Sequence, residues 1–563
     1  MTTPHQSQDA AADRALGQTR PRMPMHLHTD AVVIGAGFAG LYMLHSLRGL
    51  GLSAVAFEAG NDVGGTWYWN RYPGARCDVE SLQYSYSWTK DLQQEWQWTE
   101  RYAQQSEIQA YIRHAAERYD LLRDIRFQTR VTEADWDEDA RLWTVRTDVG
   151  DEVRARFVIS AAGCLSIGRV PDVPGLADFQ GRWYHTGQWP HEPVDFTDLR
   201  VAVIGTGSSG IQCIPVIARQ AAQLTVFQRT ANFSIPAHNR PLTRGEQRAF
   251  KADYDALRQT AKQSKAGILY DYATRATFDV DEVERQAEFE RRWARGGPNF
   301  VQAFNDLALD RTANDQAAEF VRRKIRAAVR DPKTAELLCP KDHAIGTKRI
   351  CVDSAYHDTF NLPHVSLVDL RAAPITRIQA GGIRCADGTL HALDAIVFAT
   401  GYDAVTGAFD RIAYRGRGGR ALKAHWAEGP RTYLGLMSAG FPNLFMLTGP
   451  QSPSILTNVV MAIEQHVELV TRCLADLQRR GASLIEPTAE AETDWVAHVA
   501  EVASRTLHGS ANSWYTGANV PGKPRVFLPY IGGLGVYTRR CDDVAADGWR
   551  GFAIDADSVH ALT

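Results

Sequence analysis

The chain lacks several features that would indicate whole classes of protein. Its eight cysteines contain no C-x-x-C pair, which argues against a zinc site and a dithiol redox centre and fits a reducing compartment. The formal charge of −3 gives no electrostatic reason to bind nucleic acid or an anionic membrane. The longest apolar run, Ala31 to Leu44, is interrupted by three glycines and is too short to span a bilayer. We therefore expect a cytoplasmic protein.

The size and composition are those of a globular protein with several domains. At 563 residues the chain predicts two or three domains, and its 44% hydrophobic and 23% charged residues are typical of a soluble fold. Residues 1–24 are polar and contain no apolar core. We therefore expect them to form a disordered tail and not a signal peptide.

A first glycine-rich signature, G-A-G-F-A-G, occupies residues 35–40. It follows the buried-strand pattern Ala31–Ile34 and precedes helical spacing over Leu41–Leu50, the strand–turn–helix setting in which such a signature binds a pyrophosphate. The next predicted strand, Ala54–Phe57, ends in Glu58. A carboxylate at this position binds ribose hydroxyls and repels a 2′-phosphate, so this signature predicts an FAD site.

A second signature, G-T-G-S-S-G, occupies residues 205–210 and follows the predicted strand Arg200–Ile204. The second strand of this unit, Leu224–Phe227, is followed by Gln-Arg-Thr, which places Arg229 where an NAD site has an acid. A guanidinium can pair with a 2′-phosphate through charge-assisted hydrogen bonds, so the second ligand is predicted to be NADPH in preference to NADH. Two such signatures in one chain indicate electron transfer between two dinucleotides.

Between the two signatures lies the pattern F-x-G-x-x-x-H-x-x-x-W, formed by Phe179, Gly181, His185 and Trp189. It resembles the fingerprint of the type I Baeyer–Villiger monooxygenases, flavoenzymes that convert ketones into esters or lactones. A linker between domains, with aromatic residues packed at a domain edge, would explain the same residues. His185 is as well suited to orienting that linker as to acid–base work, so no proton transfer is assigned to it.

These features predict an α/β fold with two Rossmann-like dinucleotide-binding domains, one for FAD and one for NADPH, and a helical insertion in the NADPH domain. We predict the FAD-binding domain at 25–160 and 396–563, the NADPH-binding domain at 161–235 and 339–395, and the insertion at 236–338. The insertion is predicted from charged segments with helical apolar spacing, such as Asp281–Arg295 and Gln316–Arg330.

Glycine and aromatic residues are dense between Gly64 and Ser81, a composition typical of neither a helix nor a regular strand. A loop in an aromatic core is one interpretation. The segment also closely resembles the loop that surrounds the flavin in phenylacetone and steroid monooxygenases. By that resemblance Asp78 lies near the reactive face of the flavin, hydrogen-bonded toward an arginine and the nicotinamide, although a lone Asp in a loop is usually a turn residue.

Three later segments carry further candidates. Lys348 and Arg349 are adjacent cations, most often a solvated pair, but their segment resembles one in which the lysine contacts the NADPH phosphate and the arginine reaches the flavin. The helix predicted from Asn458 is expected to direct its first N–H groups at the flavin. Trp514 lies in a segment that resembles the mobile loop closing over the nicotinamide, although a tryptophan near Gly and Pro is also a common loop anchor.

The expected catalytic residues are Arg349 and Asp78. The other expected cofactor contacts are Gly35, Gly37, Phe38, Gly40, Glu58, Thr66, Trp67, Tyr68, Trp69, Arg76, Cys77, Tyr84, Val131 and Val459, together with Thr206, Gly207, Ser208, Ser209, Gly210, Gln212, Arg229, Thr230, Lys348 and Trp514. No metal site is expected.

The resemblance implies a reaction as well as a fold. NADPH would reduce FAD, the flavin would activate O2 as a C4a-peroxide, and the peroxide would add to a ketone to give an adduct that rearranges to an ester or lactone. Arg349 would supply fixed positive charge during oxygenation. A ketone and O2 are thus the expected partners, with no nucleic acid, membrane or obligate protein partner.

Three other functions stay open at this point. A heteroatom-oxidising flavin monooxygenase uses the same two cofactors, although its fingerprint typically lacks the tryptophan. A pyridine-nucleotide disulfide reductase is disfavoured by the missing C-x-x-C pair. A flavoprotein that only binds partners would show no NADPH oxidation with ketones. The pattern of residues does not identify which ketone would be used.

Overall fold

The computed structural model describes residues 24–556, so all but the last residue of the tail expected at 1–24 lies outside the described residues. Its strands, β1–β20 in chain order, are His26–Ile34, Ala54–Phe57, Ile125–Arg126, Val131–Asp137, Leu142–Thr147, Glu152–Ser160, Arg182–His185, Arg200–Ile204, Gln223–Gln228, Ser234–Pro236, Cys351–Asp353, Val365–Asp369, Ile375–Gln379, Gly382–Cys385, Leu390–Ala392, Ala395–Phe398, Ala413–Arg415, Leu444–Met446, Ala482–Pro487 and Phe552–Ala556. Its α-helices are Phe38–Gly49, Thr66–Trp69, Lys90–Glu95, Gln105–Arg118, Ser208–Ala218, Arg244–Ala252, Tyr254–Gln263, Glu282–Arg295, Arg311–Ala328, Pro332–Leu338, Tyr356–Thr359, Leu422–His425, Val459–Arg480, Ala489–Ser504 and Leu534–Ala546.

The larger sheet is built around β1. Its strand order is β17-β4-β5-β6-β1-β2-β3, and β18 pairs with β6 outside this order. The strands β3, β2, β1, β6 and β18 are parallel to one another, whereas β5 pairs antiparallel with β6 and β4 pairs antiparallel with β5. The helix Phe38–Gly49 buries Leu41, Leu44 and Leu47 against this sheet, in the same core as Val33 of β1.

The smaller sheet is parallel throughout and has the order β12-β9-β8-β16-β7. The order reverses beside β8, and in such sheets a dinucleotide binds at that reversal, outside the carboxyl ends of the strands. The second glycine signature follows β8 directly and begins the helix Ser208–Ala218. Both signatures therefore occupy the predicted strand–turn–helix position.

Helices make up the segment between β10 and β11. Four of them are capped at the N-terminus by a side chain that accepts a hydrogen bond from a backbone N–H of the first turn. The capping residues are Thr243, Asp281, Asp310 and Asp331. Val321 and Ile325 of the helix Arg311–Ala328 are buried in the core that also holds Ile211. The helical insertion and the helix that carries the second signature thus share one apolar core.

Two segments differ from what the sequence predicts. The fingerprint, expected to be a linker, contains the edge strand β7, because Arg182–His185 pairs in parallel with β16 from more than 200 residues later in the chain. The loop from Gly64, expected to be irregular, contains one helical turn over Thr66–Trp69, which its backbone closes through Asn70 N–H donating to Thr66 O at 2.9 Å. Within residues 24–556, none of the helices has the length and apolar composition needed to cross a membrane.

Candidate active site

The two glycine signatures adopt the same backbone arrangement. Gly35 and Gly205 have φ of +102° and +111°, and a Cβ on either would lie 2.6 or 2.4 Å from the carbonyl oxygen of Ala161 or Ala399. In each case the first glycine follows the strand, and the chain returns beside it at the crossing between the sheets. The equivalent N–H groups, of Ala161 and Ala399, donate to Ile34 and Ile204 at 2.9 Å. Only glycine fits at these positions, so each turn brings bare backbone to the surface at a helix start.

The two helix starts differ in the space beside them. A Cβ on Gly207 would meet no atom within 4 Å. A Cβ on Gly37 would lie 3.4 Å from the Cα of Gly65, which belongs to the glycine- and aromatic-rich segment Gly64–Ser81, called the aromatic loop below. Gly40 and Gly210 lie deeper, where a Cβ would overlap the carbonyl oxygens of Gly35 and Gly205. Backbone N–H groups at the start of a helix are the chemistry that a pyrophosphate requires. The residues present therefore fit two dinucleotides.

Glu58 fixes the turn of the first signature. Its two carboxylate oxygens accept hydrogen bonds at 2.8 Å from the N–H groups of Ala36 and Gly60. The side chain is buried, and burial raises the pKa of Glu58 despite these two bonds. Each oxygen keeps a further lone pair, so the carboxylate can also accept from ribose hydroxyls. Val131 packs in the same cluster as Ile34 and Phe57, at the ends of β1 and β2.

The second signature faces a group of cations. Thr206 Oγ1 donates to Thr230 O at 2.9 Å, which joins the glycine turn to the residues that follow β9. Burial is the main cause that lowers the pKa of Lys348; the charge of Asp342 opposes it, and the nearby charge of Arg229 lowers the pKa further. Ser208 Oγ lies 3.3 Å from Cys351 Sγ. The predicted Arg229 and Lys348 are thus brought together from positions 119 residues apart.

The aromatic loop contacts the helix of the first signature. Trp67 Nε1 donates to Tyr84 Oη at 3.1 Å, and the ring of Tyr84 meets Phe38 edge-on with centroids 5.4 Å apart. Tyr68 and Trp69 also pack edge-on, with centroids at 4.8 Å, and Thr66 is exposed at the start of its helical turn. Trp67 and Tyr84 are buried, so this part of the predicted flavin contact set forms one rigid aromatic cluster.

The same loop also reaches the second signature. Gln212, on the helix Ser208–Ala218, accepts from Tyr72 Oη at 2.7 Å and donates through Nε2 to Arg76 O at 3.1 Å. Gly74, with φ +83°, allows this approach, because a Cβ there would lie 2.4 Å from Gln212 O. Arg76 pairs with Glu100 through its side chain, and Cys77 is buried. Gln212 and Arg76, both expected at a cofactor, therefore contact each other across the two halves of the molecule.

Asp78 and Arg349 meet where this loop ends. Arg349 Nε donates to Asp78 Oδ2 at 2.5 Å and Nη2 donates to Oδ1 at 2.7 Å, a two-bond fork, while Nη1 donates to Ile455 O at 2.9 Å. Burial opposes the charge of Arg349, but Asp78 outweighs it and holds the pKa of the guanidinium well above its usual range. Their side chains are 30% and 20% exposed, so the pair remains open to a small molecule.

The surroundings of this ion pair are aromatic and apolar. Tyr515, whose pKa burial raises to about 12, packs with Ala404, Val405, Ile455 and Leu528. Trp514 lies against Tyr515 with ring centroids 4.3 Å apart. Tyr270, from the helical insertion, lines a small cleft together with Asp78. Ile455, Tyr270 and Tyr515 were not predicted, and Ile455 has no side-chain signal that could have identified it, because it acts through its carbonyl oxygen.

The helix Val459–Arg480 starts beside the same loop. Its N-cap, Asn458, accepts from Val460 N–H at 3.2 Å and donates through Nδ2 to Gln83 O at 2.7 Å. Val459 is half-buried at the first helical position and packs against the core that contains Tyr84 and Phe38. The first turn of this helix therefore faces the predicted flavin contacts.

The fingerprint residues are structural neighbours of the site. A Cβ on Gly181 would lie 2.3 Å from Asp394 O, and Phe179 and Trp189 are buried in the cores on either side of the smaller sheet. His185 Nδ1 accepts from Gly187 N–H at 3.0 Å, and burial lowers the pKa of His185 to about 4. Trp189 N–H donates to Trp69 O at 3.4 Å, which connects the fingerprint to the aromatic loop.

The sequence of the chain is similar to a family model and to several known proteins. A family model described as flavin-binding monooxygenase-like matches residues 29–239. The acetone monooxygenase (methyl acetate-forming) of Gordonia sp. (strain TY-5) is 42% identical over 93% of this chain and 99% of its own. The phenazine N-monooxygenase PhzNO1 of Lysobacter antibioticus is 41% identical over 94% and 98%. A Baeyer–Villiger monooxygenase of Pseudooceanicola batsensis is 41% identical over 92% and 95%.

Solved structures of related enzymes have the same fold as this chain. An oxidised steroid monooxygenase bound to NADP is 54% identical, with a TM-score of 0.90 over 94% of this chain and all of that one. The complex of OTEMO with FAD and NADP is 41% identical, with a TM-score of 0.91 over 95% of this chain and all of that one. The predicted fold class, enzyme class and pair of cofactors are thereby confirmed. The chain belongs to the Baeyer–Villiger monooxygenases of the flavin-binding monooxygenase-like family, enzymes that depend on FAD and NADPH.

Proposed function

We propose that this enzyme converts a ketone and O2 into an ester or lactone, with Arg349 and Asp78 at the reacting centre. The observation that carries the proposal is the fork between these two residues. Asp78 ends the loop that touches the first signature at Gly65 and the second at Gln212, so the fork lies where two bound dinucleotides would meet.

FAD fits the first signature, where Glu58, Tyr84 and the N-terminus of the helix at Val459 would hold it. When bound and reduced by NADPH, FAD supplies the activation of O2. The aromatic loop would keep water from the reacting atoms, because Trp67 and Tyr84 are buried and bonded to each other.

Arg349 would stabilise negative charge on oxygen during the reaction. Its guanidinium stays protonated at any working pH, and Asp78 and Ile455 hold it in one orientation through three hydrogen bonds. A fixed cation that needs no reorganisation is the most effective electrostatic aid to a developing oxyanion. The nearby apolar residues, Ile455 and Leu528 among them, would strengthen this effect by lowering the local dielectric constant.

NADPH would bind at the second signature, with its 2′-phosphate between Arg229 and Lys348 and with Trp514 near the nicotinamide. The remaining contacts proposed on this side are Thr206, Gly207, Ser208, Ser209, Gly210 and Thr230. Gln212 has a further proposed role, because its side chain ties the NADPH helix to Tyr72 and Arg76 of the aromatic loop.

We also propose the division into domains. Residues 25–160 and the chain after 398 form the FAD-binding domain, 161–235 and 339–398 the NADPH-binding domain, and 236–338 the insertion. The second boundary is placed after Phe398 instead of 395, because β16 pairs with β7 and β8 of the smaller sheet. Its eight free cysteines fit a protein of the cytoplasm, which is where we propose that it works.

Oxidation of an aromatic nitrogen is a second candidate. It is favoured by one observation, the 41% identity to a phenazine N-monooxygenase, which is as high as that to a relative named for Baeyer–Villiger oxidation. Both reactions would use the same cofactors, so the substrate distinguishes them.

The test is a product screen under ¹⁸O2. Purified enzyme with NADPH would be offered linear, cyclic and fused-ring ketones, a phenazine and an organic sulfide. We expect one ¹⁸O atom in an ester or lactone from at least one ketone. Labelled N-oxide or sulfoxide with no ester from any ketone would replace the proposal by the second candidate or its sulfur counterpart.

A further inference from the structure

We propose that Arg371 is a third cation of the 2′-phosphate site and helps to select NADPH over NADH. The inference rests on the NADPH site proposed above and extends it, since the sequence predicts only Arg229 and Lys348 there. The ligand group concerned is a phosphate monoester, which carries about −1.5 to −2 charges at neutral pH.

The sheet places Arg371 beside Arg229. Strand β12 pairs in parallel with β9, with Asp369 opposite Gln228, and Leu370 N–H donates to Gln228 O at 2.8 Å. The residues that follow the two strands therefore emerge at the same edge. Arg371 N–H donates to Asp369 Oδ1 at 2.9 Å, which turns the chain directly after β12.

The side chain of Arg371 points across to the residues after β9. Its Nη2 lies 3.5 Å from Thr230 Oγ1 and also pairs with Asp342. Asp342 accepts in addition from the imidazole of His343, with Oδ1 and Nδ1 3.2 Å apart. Arg371 is thus anchored at one side by a carboxylate from the Lys348 segment, and its guanidinium touches a residue already expected at NADPH.

Lys348 lies within electrostatic reach of both Arg229 and Arg371, which come from two other parts of the chain. Burial comes first in lowering the pKa of Lys348, and the charges of Arg229 and Arg371 lower it further, against the opposing charge of Asp342. Two carboxylates, Asp342 and Asp369, stand against three cations, which leaves a local excess of one positive charge. That excess matches a dianionic phosphate, which NADH lacks.

A solvated ion pair between Arg371 and Asp342 is the alternative, because Arg371 is 55% exposed and exposed pairs contribute little. The two interpretations predict different effects of removing Arg371. An ordinary surface pair would leave cofactor selection unchanged when Arg371 is removed, whereas a phosphate contact would change kinetics with NADPH alone.

The experiment compares NADPH and NADH as reductants of the FAD-loaded enzyme under anaerobic conditions, where flavin bleaching reports hydride transfer without any ketone. We expect Arg371→Ala to lower the apparent affinity for NADPH about 5- to 20-fold and to leave NADH within about twofold. Arg371→Glu should weaken NADPH further, because it repels the phosphate. The matched control is Arg377→Ala, since Arg377 is equally exposed and pairs with Asp178.

Inhibition by adenosine monophosphates provides a second, independent test of the 2′-phosphate site. Adenosine 2′-monophosphate should inhibit Arg371→Ala more weakly than the wild type, whereas adenosine 5′-monophosphate should inhibit both equally. Unchanged NADPH affinity in Arg371→Ala, or equal losses with NADPH and NADH, would overturn the role of Arg371. A wild-type enzyme without preference for NADPH would instead overturn the proposed 2′-phosphate site itself, so the two failures are distinguishable.

Discussion

Asp78 and Arg349 lie 271 residues apart in sequence and form a two-bond fork, with N···O distances of 2.5 and 2.7 Å. A planar guanidinium matches a carboxylate in this way, and a lysine could not. The third bond, from Nη1 to Ile455 O, uses a further donor of Arg349 and fixes its plane. The charge of Arg349 is thereby held in place before any substrate arrives, and the first two predictions follow from this.

Removing the guanidinium should separate flavin reduction from oxygenation. In Arg349→Ala we expect NADPH still to bleach the flavin anaerobically, because Arg229, Lys348 and Trp514 are the groups proposed to hold NADPH. In air the variant should consume NADPH, release hydrogen peroxide and form no ester, since no fixed cation stabilises the oxyanion. Stopped-flow absorbance together with product analysis measures both halves of the cycle.

The control for this prediction is Arg349→Lys. Lysine restores one positive charge but not the fork, so we expect it to recover little ester formation. If Arg349→Ala made ester at close to the wild-type rate, the proposed role of this residue would be wrong.

Asp78 should matter through the orientation of Arg349. Asp78→Asn keeps the shape of the side chain but loses its charge, and we expect ester formation to fall about 10- to 100-fold, the value of one charge-assisted contact. Because the two residues act as a unit, the double variant should be little worse than Arg349→Ala alone. Additive losses in the double variant would show that Asp78 acts independently.

Arg229 should determine the choice of cofactor more strongly than any other single residue. Arg229→Ala is expected to raise KM for NADPH about 10- to 150-fold, because a charge-assisted bond to the 2′-phosphate is lost, and to leave NADH nearly unchanged. Steady-state kinetics with both cofactors measure this. Equal losses with both would mean that Arg229 does not contact the 2′-phosphate.

The local sequence pattern predicts the strands that precede the glycine signatures. It misses a strand that forms only by pairing with a distant part of the chain. The boundaries of β2 and β8 agree with the sequence prediction, because each is a short apolar run that ends at a turn or a charged residue. Strand β7 in the fingerprint was missed, since Arg182–His185 becomes a strand only by pairing with β16. No local feature of those four residues records that partner.

The candidate site shows the same division. Resemblance to a family identifies Asp78 and Arg349 as candidates, but the fork between them depends on how two distant segments fold together. Arg371 was not predicted, because the pairing of β12 with β9 that places it beside Arg229 exists only in the folded sheet. Ile455 had no usable signal, since any residue offers a backbone carbonyl.

Acid should destabilise the protein through its buried histidines. His466 is fully buried, its Nδ1 accepts from Thr448 N–H at 2.9 Å, and burial lowers its pKa from 6.5 to about 4. The unfolded chain therefore binds a proton between pH 6.5 and 4 that the folded chain does not, so stability falls as the pH is lowered through this window and levels off below about 4. The loss from His466 is at most about 3 kcal/mol. The pKa values of His185, His343 and His508 are lowered to about 4 in the same direction.

Denaturant unfolding at a series of pH values checks this prediction. In His466→Gln the free energy of unfolding should fall less steeply from pH 6.5 to 4 than in the wild type, since one linked proton is removed. His28→Gln, at an exposed position, serves as the control and should keep the wild-type slope. Equal slopes in all three proteins would contradict the assignment to His466.

Arg258 connects the helical insertion to the predicted flavin contacts, and its loss should loosen both. It is 4% exposed and donates to Gln83 O at 2.7 Å and to Tyr254 Oη at 2.6 Å, and it also contacts Ser85. These bonds hold the segment on either side of Tyr84. The buried Glu464, which accepts from Ser87, also depends on this positive charge, because burial raises the pKa of Glu464 and Arg258 opposes that rise.

Arg258→Ala removes one partner of a buried charge network, so we expect a loss of about 3–5 kcal/mol in the free energy of unfolding. FAD should also be released at a lower temperature, because Tyr84 is no longer held on both sides. Thermal melting followed by flavin fluorescence measures the release. Arg248→Ala, at an exposed position in the preceding helix, is the matched control and should melt like the wild type. An Arg258→Ala protein that keeps its FAD to the wild-type temperature would show that the network does not support the flavin side of the site.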